Sequence, residues 1–520
     1  MMPIRLLMPM SGTGLRFQKA GYHDPKPLIP VSGTPMVERL LKVFPMDWPA
    51  HFVLNESHRD TKLPTLLKNL RPQSTVTFIP IHSLGPGEAI RRGLSDIPDE
   101  APIFVSYCDY GMIWDPAEFQ RFVTESRCDA CVISYRGFHP HYVGTDKYAY
   151  SRLEGERVVE VREKGSFTDQ RENEFASSGG YYFRTSRQLK EALEYQFANN
   201  LTINGETYTS LTVESLLRRH PGSDVRVFEI PAFFQWGTPR DLRAFEFWER
   251  SYQASLRTAH RRPTVEQILM PMAGQGSRFH NFGDLPKALI PIDGKPMFQA
   301  ALDSLPKAER TVLVTLSSIA KQLGSAGAFE VVPLSETPAG QALSTEEGLS
   351  RLAPNAPVLV SSCDHGIVLS AERWKEFRSI PCDAAIFCIR GFPGTTATPE
   401  KFAYVIPDAT NEPFPKIRSV SVKRPVSSDP SNDWLLVGTF WFRNPAIAQE
   451  GISLLKERQI RVNGELYLDS IFSLLLEKGY GIRLVELEGY LGWGDPDSFK
   501  TAHYWRNVFC GHAAGRYLTC

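Results

Sequence analysis

Two tandem α/β domains with mostly parallel sheets are the architecture this sequence predicts, and three observations predict it. The 520-residue chain is too long for one ordinary core, which favours two domains of about 250 residues. It repeats itself, in order, at a spacing of roughly 255 to 262 residues, far beyond the period of a solenoid. Within each repeat, short apolar runs alternate with helix-spaced segments, the signature of βαβ units.

The repeat is legible motif by motif. MPMSGTGLRF at 8–17 returns as MPMAGQGSRF at 270–279, and DPKPLIPVSGTPM as DLPKALIPIDGKPM. FVSYCDYG returns as LVSSCDHG, RGF as RGF, and GGYYFR as GTFWFR. INGETYTS returns as VNGELYLDS, and QWGTP as GWGDP. The expected boundaries are 1–257 for copy one and 265–520 for copy two, with a polar, proline-containing seam inside SLRTAHRRPTVEQ. In the first copy IRLLMPM, HFVLN, STVTFIPI, APIFVSYCD and DACVISYRG read as strands. PMVERLLKVF, TKLPTLLKNL and GEAIRRGLSDI read as the helices between them. Such a sheet is covered on both faces and binds ligands beyond the carboxyl ends of its strands. The glycine-rich loop and the CDYG and CDHG motifs all fall on that rim.

Composition excludes several classes. The 58 basic and 58 acidic residues cancel, and no block of one sign offers a footprint for nucleic acid or an anionic membrane. No apolar run approaches the ~18 residues of a membrane span, so no membrane insertion is expected. The opening MMPIRLLMPMSG is too short and proline-broken for a signal-peptide core, so a cytoplasmic location is the default expectation. Eight cysteines do not make a disulfide scaffold; Cys128 and Cys131 in CDAC read as small buried residues entering a strand, because the repeat has Ala385 in place of the second.

The chemistry-bearing residues cluster in the repeated motifs. Gly12, Thr13 and Gly14, with Gly274, Gln275 and Gly276 in the second copy, form a turn whose N–H groups can face phosphate oxygens. The turn is neither a Walker loop nor the dinucleotide fingerprint, since Phe17 stands where a third glycine is needed. Arg16 and Lys26, and Arg278 and Lys287, supply the cations that a polyphosphate needs while charge builds on it. Asp109 and Asp364, each between an apolar strand and a glycine, are placed to hold Mg²⁺, which takes only one or two protein carboxylates.

The run G-x-G-x-R-F, the P-K-P-L-I-P-V-x-G-x-P-M segment, the strand ending in C-D and the later Glu-Lys of VREKG resemble the nucleotidylyltransferase family that makes NDP-sugars. The resemblance covers nearly the whole of each half. It implies two tandem Rossmann-like nucleotide-diphospho-sugar transferase domains. It also implies transfer of a nucleoside monophosphate from an NTP to a sugar phosphate or other phosphorylated small molecule, with release of pyrophosphate. By matching position, Arg16, Lys26, Arg278 and Lys287 would be catalytic, and Asp109 and Asp364 would bind Mg²⁺. Gly85, Gly87, Gly340 and Gln341 would join the two glycine turns around the nucleotide. Lys164 and Lys423 would contact the acceptor phosphate, with Asn204, Glu206 and Tyr208 lining the acceptor side; Asn204 can also be read as a helix cap.

The match fails in places. The family's second metal-binding aspartate is replaced by Gln235 and by Gly492, with Asp241 or Asp495 as substitutes that are not equivalent to each other. Glu88 pairs with Gln341 in the motif alignment and Glu163 with Val422, so copy one, with its complete Glu-Lys pair, is favoured as catalytic. The alternatives are a glycosyltransferase on a similar fold, disfavoured by the absence of an Asp-x-Asp motif, and a protein with one catalytic and one regulatory or degenerate copy. Homo-oligomerisation is left open.

Overall fold

The computed structural model describes residues 2–144, 148–280, 282–283, 285–323, 329–408 and 411–511. The chain divides into two compact units, the second being Phe247–Phe509. The division falls inside the helix Pro239–Thr258.

In the first unit the apolar run Arg5–Met10 is buried nearly throughout and forms the middle of the sheet. It pairs in parallel with Ala50–Asn55 on one side and Ile103–Ser106 on the other. Ala50–Asn55 pairs in parallel with Thr75–Ile79. Beyond Ile103–Ser106 comes Phe175–Phe183, which runs antiparallel, then Ala130–Tyr135 and, parallel to that, Val225–Glu229. A hairpin, Tyr150–Glu154 with Arg157–Arg162, attaches to the start of Phe175–Phe183. Strands buried on both faces must be apolar at every position, which is why these runs read as continuous rather than alternating. Helices Met36–Leu41, Leu63–Leu70 and Pro86–Gly93 lie where helical spacing predicts them. One face of the sheet packs around Trp48, Phe104, Trp114 and Phe119, the other around Leu7, Ile90, Val105 and Leu193.

The second unit has the same order. Glu330–Leu334, Lys307–Leu316, Thr264–Pro271 and Val358–Ser361 run parallel. Trp434–Phe442 is antiparallel, followed by Ala384–Ile389 and Ile482–Glu486. The hairpin Ala403–Pro407 with Ile417–Val422 attaches to Trp434–Phe442. The helix Gln341–Leu349 takes the place of Pro86–Gly93. The repeat seen in the motifs is therefore a repeat of topology.

In each unit the strand order reverses at the central strand: the next strand in sequence lies to one side, and the strand carrying the C-D motif to the other. Side by side at their carboxyl ends, the glycine turn and the aspartate border the crevice that such a switch point opens.

Candidate active site

Both copies build the same cluster at that crevice. Lys26 Nζ lies 2.5 Å from Asp109 Oδ2 and donates to the carbonyl of Gly237 at 3.1 Å. Lys287 Nζ lies 2.5 Å from Asp364 Oδ2 and donates to the carbonyl of Gly494 at 3.2 Å. Three distant segments of chain thus meet at one ammonium. The carboxylates keep about a quarter of their surface exposed, 28% for Asp109 and 26% for Asp364, so the pair faces the crevice rather than the core.

The glycine turn packs against this lysine. Gly14 has φ 68° and Gly276 φ 64°, in the left-handed region that side chains disfavour. A Cβ on Gly14 would lie 3.4 Å from Lys26 Cβ, and one on Gly276 only 2.5 Å from Lys287 Cβ. Beside Gly12 and Gly274 there is open space, and both are exposed. Phe17, which replaces the third glycine of a dinucleotide loop, is buried, and its ring lies 5.7 Å below Lys26 Nζ. Phe279 does the same for Lys287 at 5.7 Å. Thr13 accepts from Gln18 through its carbonyl, and Gln275 is exposed. Arg16 and Arg278 stand exposed on the short helical turns after each loop.

Electrostatics differ in detail. In the second copy, burial alone would raise the Asp364 carboxyl, but Lys287 and His365 outweigh it and hold it well below the usual carboxylate range. Lys287 is raised, its burial offset by the charge of Asp364. His365 is buried, contacts Thr439 Oγ1 through Nε2 at 2.8 Å and lies 3.6 Å from Asp364 Oδ1 through Nδ1. The first copy has Tyr110 there, hydrogen-bonded to Ser106 Oγ at 2.9 Å.

A second cluster adjoins the first. Lys164 and Lys423 both have left-handed backbone, φ 57° and 60°, within two residues of the end of the hairpin strand. For a lysine this costs about 1–2 kcal/mol, and its recurrence in both copies marks a position held for the side chain it presents. Lys164 Nζ donates to Tyr208 OH at 2.6 Å, and that hydroxyl donates to Glu206. Lys423 lies over the ring of Tyr467, 5.3 Å from its centroid. Tyr107, two residues before Asp109, reaches across to Thr209 Oγ1 at 2.8 Å, which ties the two clusters together in copy one. In copy two burial depresses the Lys423 ammonium and the charge of Arg278 adds to that, while Lys287 stays raised despite Arg278 because Asp364 outweighs it. Asn204 is no helix cap: with Gly205 it forms the corner of a tight turn, φ 52° and 77°, closed by paired bonds between Ile203 and Glu206.

Gly85 and Gly87 border this second cluster. Gly85 has φ 87°, and a Cβ there would lie 2.6 Å from the backbone of Thr207; Gly87 N–H donates to Thr207 O. Gly340 repeats the approach against Leu466, with Ala342 N–H donating to Leu466 O. These contacts correct the motif alignment: Gly340 corresponds to Gly85, so Gln341 matches Pro86 rather than Glu88. Its amide donates to Ser362 Oγ at 2.8 Å. Glu88 is buried and paired with Arg91 and Arg92.

Gln235 and Asp241 occupy the far side of the first cluster. Gln235 Nε2 donates to Asp241 Oδ1 at 3.0 Å, while Gln235 Oε1 is buried without a partner. Asp241 Oδ2 and Asp109 Oδ2 both lie within 4.0 Å of the point a Cβ on Gly237 would occupy. Burial, and then the charge of Asp109, push the Asp241 carboxyl up. Asp495 is spent differently, accepting from Ser498 N–H and Oγ at 3.0 Å as the cap of Pro496–Cys510. Here Thr238 and Asp241 of copy one have become Asp495 and Ser498. The Gly237 and Gly494 carbonyls went unremarked in the sequence, where a backbone acceptor leaves no residue-type signal.

A doubly wound sheet with a lysine, a carboxylate and a glycine turn at its switch point defines an α/β protein of the phosphate-handling class. The chain matches the MobA-like NTP transferase domain over residues 10–169 and again over 268–401. It belongs to that family, twice over, and its activity class is nucleotidyl transfer. Similar solved structures include the nucleoside-diphosphate-sugar pyrophosphorylase from Vibrio cholerae RC9, at 19% identity and TM-score 0.38, covering 45% of this chain and 97% of that one. The inositol-1-phosphate CTP transferase from T. maritima matches at 19% identity and TM-score 0.37, covering 48% and 97%. The UTP-bound UGPase from Acinetobacter baumannii matches at 14% and 0.37, covering 49% and 97%. No curated protein matches the chain. Among the described residues no helix is long and apolar enough to cross a membrane.

Proposed function

We propose that each copy catalyses attack by a phosphate oxygen of a phosphorylated small molecule, a sugar phosphate foremost, on the α-phosphorus of a nucleoside triphosphate. The products are an NDP-activated compound and pyrophosphate. The observation that carries this reading is the lysine–aspartate pair beneath the glycine turn, repeated at 2.5 Å in both copies.

Each residue has a part in an in-line displacement, where positioning and charge neutralisation do most of the work. The open side of the Gly12–Gly14 turn, and of Gly274–Gly276, receives the triphosphate against backbone N–H groups. Lys26 and Arg16, or Lys287 and Arg278, neutralise the charge that grows on the leaving pyrophosphate. Lys164 and Lys423 anchor the acceptor phosphate, with Tyr208 and Glu206 orienting the ammonium in copy one.

The donors in copy one fit Mg²⁺: Asp109 offers a carboxylate, Asp241 a second nearby, and Gln235 Oε1 a buried oxygen without a partner. Copy two has Asp364, while Asp495 serves as a helix cap. When bound, the ion would neutralise phosphate oxygens. The residues' own task is to hold the phosphates in line.

The test is pyrophosphate release from purified protein given Mg²⁺, each common nucleoside triphosphate and a panel of sugar and alcohol phosphates. Activity is expected with at least one pair, and Lys26→Ala and Lys287→Ala should each lower the turnover of their own copy by about 10²-fold or more. Turnover unchanged by both substitutions together would refute the assignment.

A further inference from the structure

Lys164 and Lys423 each open a loop, 165–174 in copy one and 424–433 in copy two, in which the copies share only Asn173 and Asn432. The hydrogen bonds of the two loops are nevertheless alike. Glu174 Oε2 accepts from the Phe167 N–H at 2.8 Å, and Oε1 from the Thr168 N–H at 2.6 Å and from Thr168 Oγ1 at 2.7 Å. Asp433 Oδ2 accepts from the Val426 N–H at 2.8 Å and the Ser427 N–H at 3.0 Å. Both pairs of N–H groups stand three and four residues after the lysine, and both carboxylates ten residues after it. Glu174 immediately precedes the strand Phe175–Phe183, and Asp433 the strand Trp434–Phe442. A carboxylate at the entrance of a sheet strand thus ties down the chain that leaves the lysine.

The near side of the lysine is braced as well. Arg162 Nη1 donates to the Ser166 carbonyl at 3.0 Å, and its guanidinium lies over the Phe167 ring, 4.3 Å from the centroid. In copy two Ser421, at the place of Arg162, donates through Oγ to the Arg424 carbonyl at 2.7 Å. Different side chains close the same arch over the lysine. Thr168 and Ser427 are exposed, so water would satisfy their N–H groups in a loop that only had to connect two strands. A lysine in left-handed backbone, by contrast, persists only where its surroundings over-determine it.

We propose that Glu174 and Asp433 are positioning residues: through the loop they hold Lys164 and Lys423 where each ammonium meets the phosphate of the acceptor. The inference rests on the reading of these lysines as acceptor-phosphate anchors. Each ammonium spends one N–H, on Tyr208 OH or on the Lys401 carbonyl, and keeps two for phosphate oxygens.

Calorimetric titration of the full chain tests this, with glucose 1-phosphate and glycerol 3-phosphate as acceptor probes and inorganic pyrophosphate as the probe of the glycine turn. The Lys423→Ala background isolates copy one. There Glu174→Ala should weaken the better acceptor probe by about tenfold or more and leave pyrophosphate within about twofold. Glu174→Asp, the residue copy two has at this place, should recover most of the loss. In the Lys164→Ala background Asp433→Ala should weaken acceptor binding to copy two in the same way. Asp433→Asn should be milder, because both N–H groups reach one oxygen and an amide also supplies one. The thermal midpoint of each variant reports whether it folds, and the two copies give independent trials. Acceptor binding untouched by Glu174→Ala and Asp433→Ala, yet weakened by Lys164→Ala with Lys423→Ala, would overturn the positioning role and leave the anchors standing. Acceptor probes and pyrophosphate weakened equally would overturn it too, as the mark of a merely structural bond. Wild-type protein that binds neither acceptor probe, or binding indifferent to the loss of both lysines, would overturn the acceptor reading and the positioning role with it.

Discussion

A methyl group added to each glycine turn should have unequal consequences. Gly14→Ala and Gly276→Ala both place a side chain at positive φ, 68° and 64°, for about 1–2 kcal/mol of lost stability. The space differs. At Gly14 the new carbon would sit 3.4 Å from Lys26 Cβ, close to ordinary contact, so the lysine keeps its place. At Gly276 it would sit 2.5 Å from Lys287 Cβ, so the lysine segment must retreat by about 1 Å to reach a normal carbon–carbon separation. A displacement of that size at a positioning cation is worth about 10²-fold in rate. Each effect is read as pyrophosphate release with the other copy silenced: Gly14→Ala in a Lys287→Ala background, Gly276→Ala in a Lys26→Ala background. Denaturant unfolding supplies the stability term. The expected result is the shared backbone cost in both variants, a further stability loss in copy two from relieving the overlap, and a much larger rate loss there. Equal rate losses would refute the argument that the turn positions the lysine by direct contact.

Two further outcomes follow from the charges. Lys287→Met leaves the Asp364 carboxylate without its ammonium; for a pair this exposed the cost should be about 1–3 kcal/mol at pH 7, and Lys287→Met with Asp364→Asn should recover most of it. Because the Asp364 pKa is depressed, the deficit should be full above about pH 4 and shrink as the pH falls below that, and equal denaturation midpoints for wild type and Lys287→Met at pH 7 would count against the pairing. Asp469 goes the opposite way: burial raises its carboxyl from 3.8 to about 6, so the fold favours the protonated form, and stability should fall as pH rises from about 4 to about 6. Asp469→Asn should remove up to about 3 kcal/mol of that slope in urea titrations across the window, and parallel curves for the two proteins would contradict the burial.

Much of the molecule was legible because its signals are local and repeated. Strand and helix assignments came from runs buried on both faces of one sheet, and the glycine turn, lysine and aspartate stood out because each recurs with its neighbours. Phe17 was visible only as a missing glycine; folded, it is the floor beneath Lys26. The Glu88–Gln341 match followed the letters G-E-A and G-Q-A, whereas the backbone approach of Gly85 to Thr207 and of Gly340 to Leu466 sets the true correspondence two residues away.

Residue identity and its repetition determined the duplication, the α/β order and the chemical types available at each crevice, since these depend on period and on side-chain kind alone. Tertiary structure decided which of those groups meet: that Gly237 and Gly494 offer their carbonyls to the lysines, that Asp241 turns toward Asp109 while Asp495 caps a helix, and that the Lys423 ammonium donates to the Lys401 carbonyl. Such meetings depend on backbone atoms and on approaches of a few ångströms between distant segments, and neither is encoded in any single stretch of the chain.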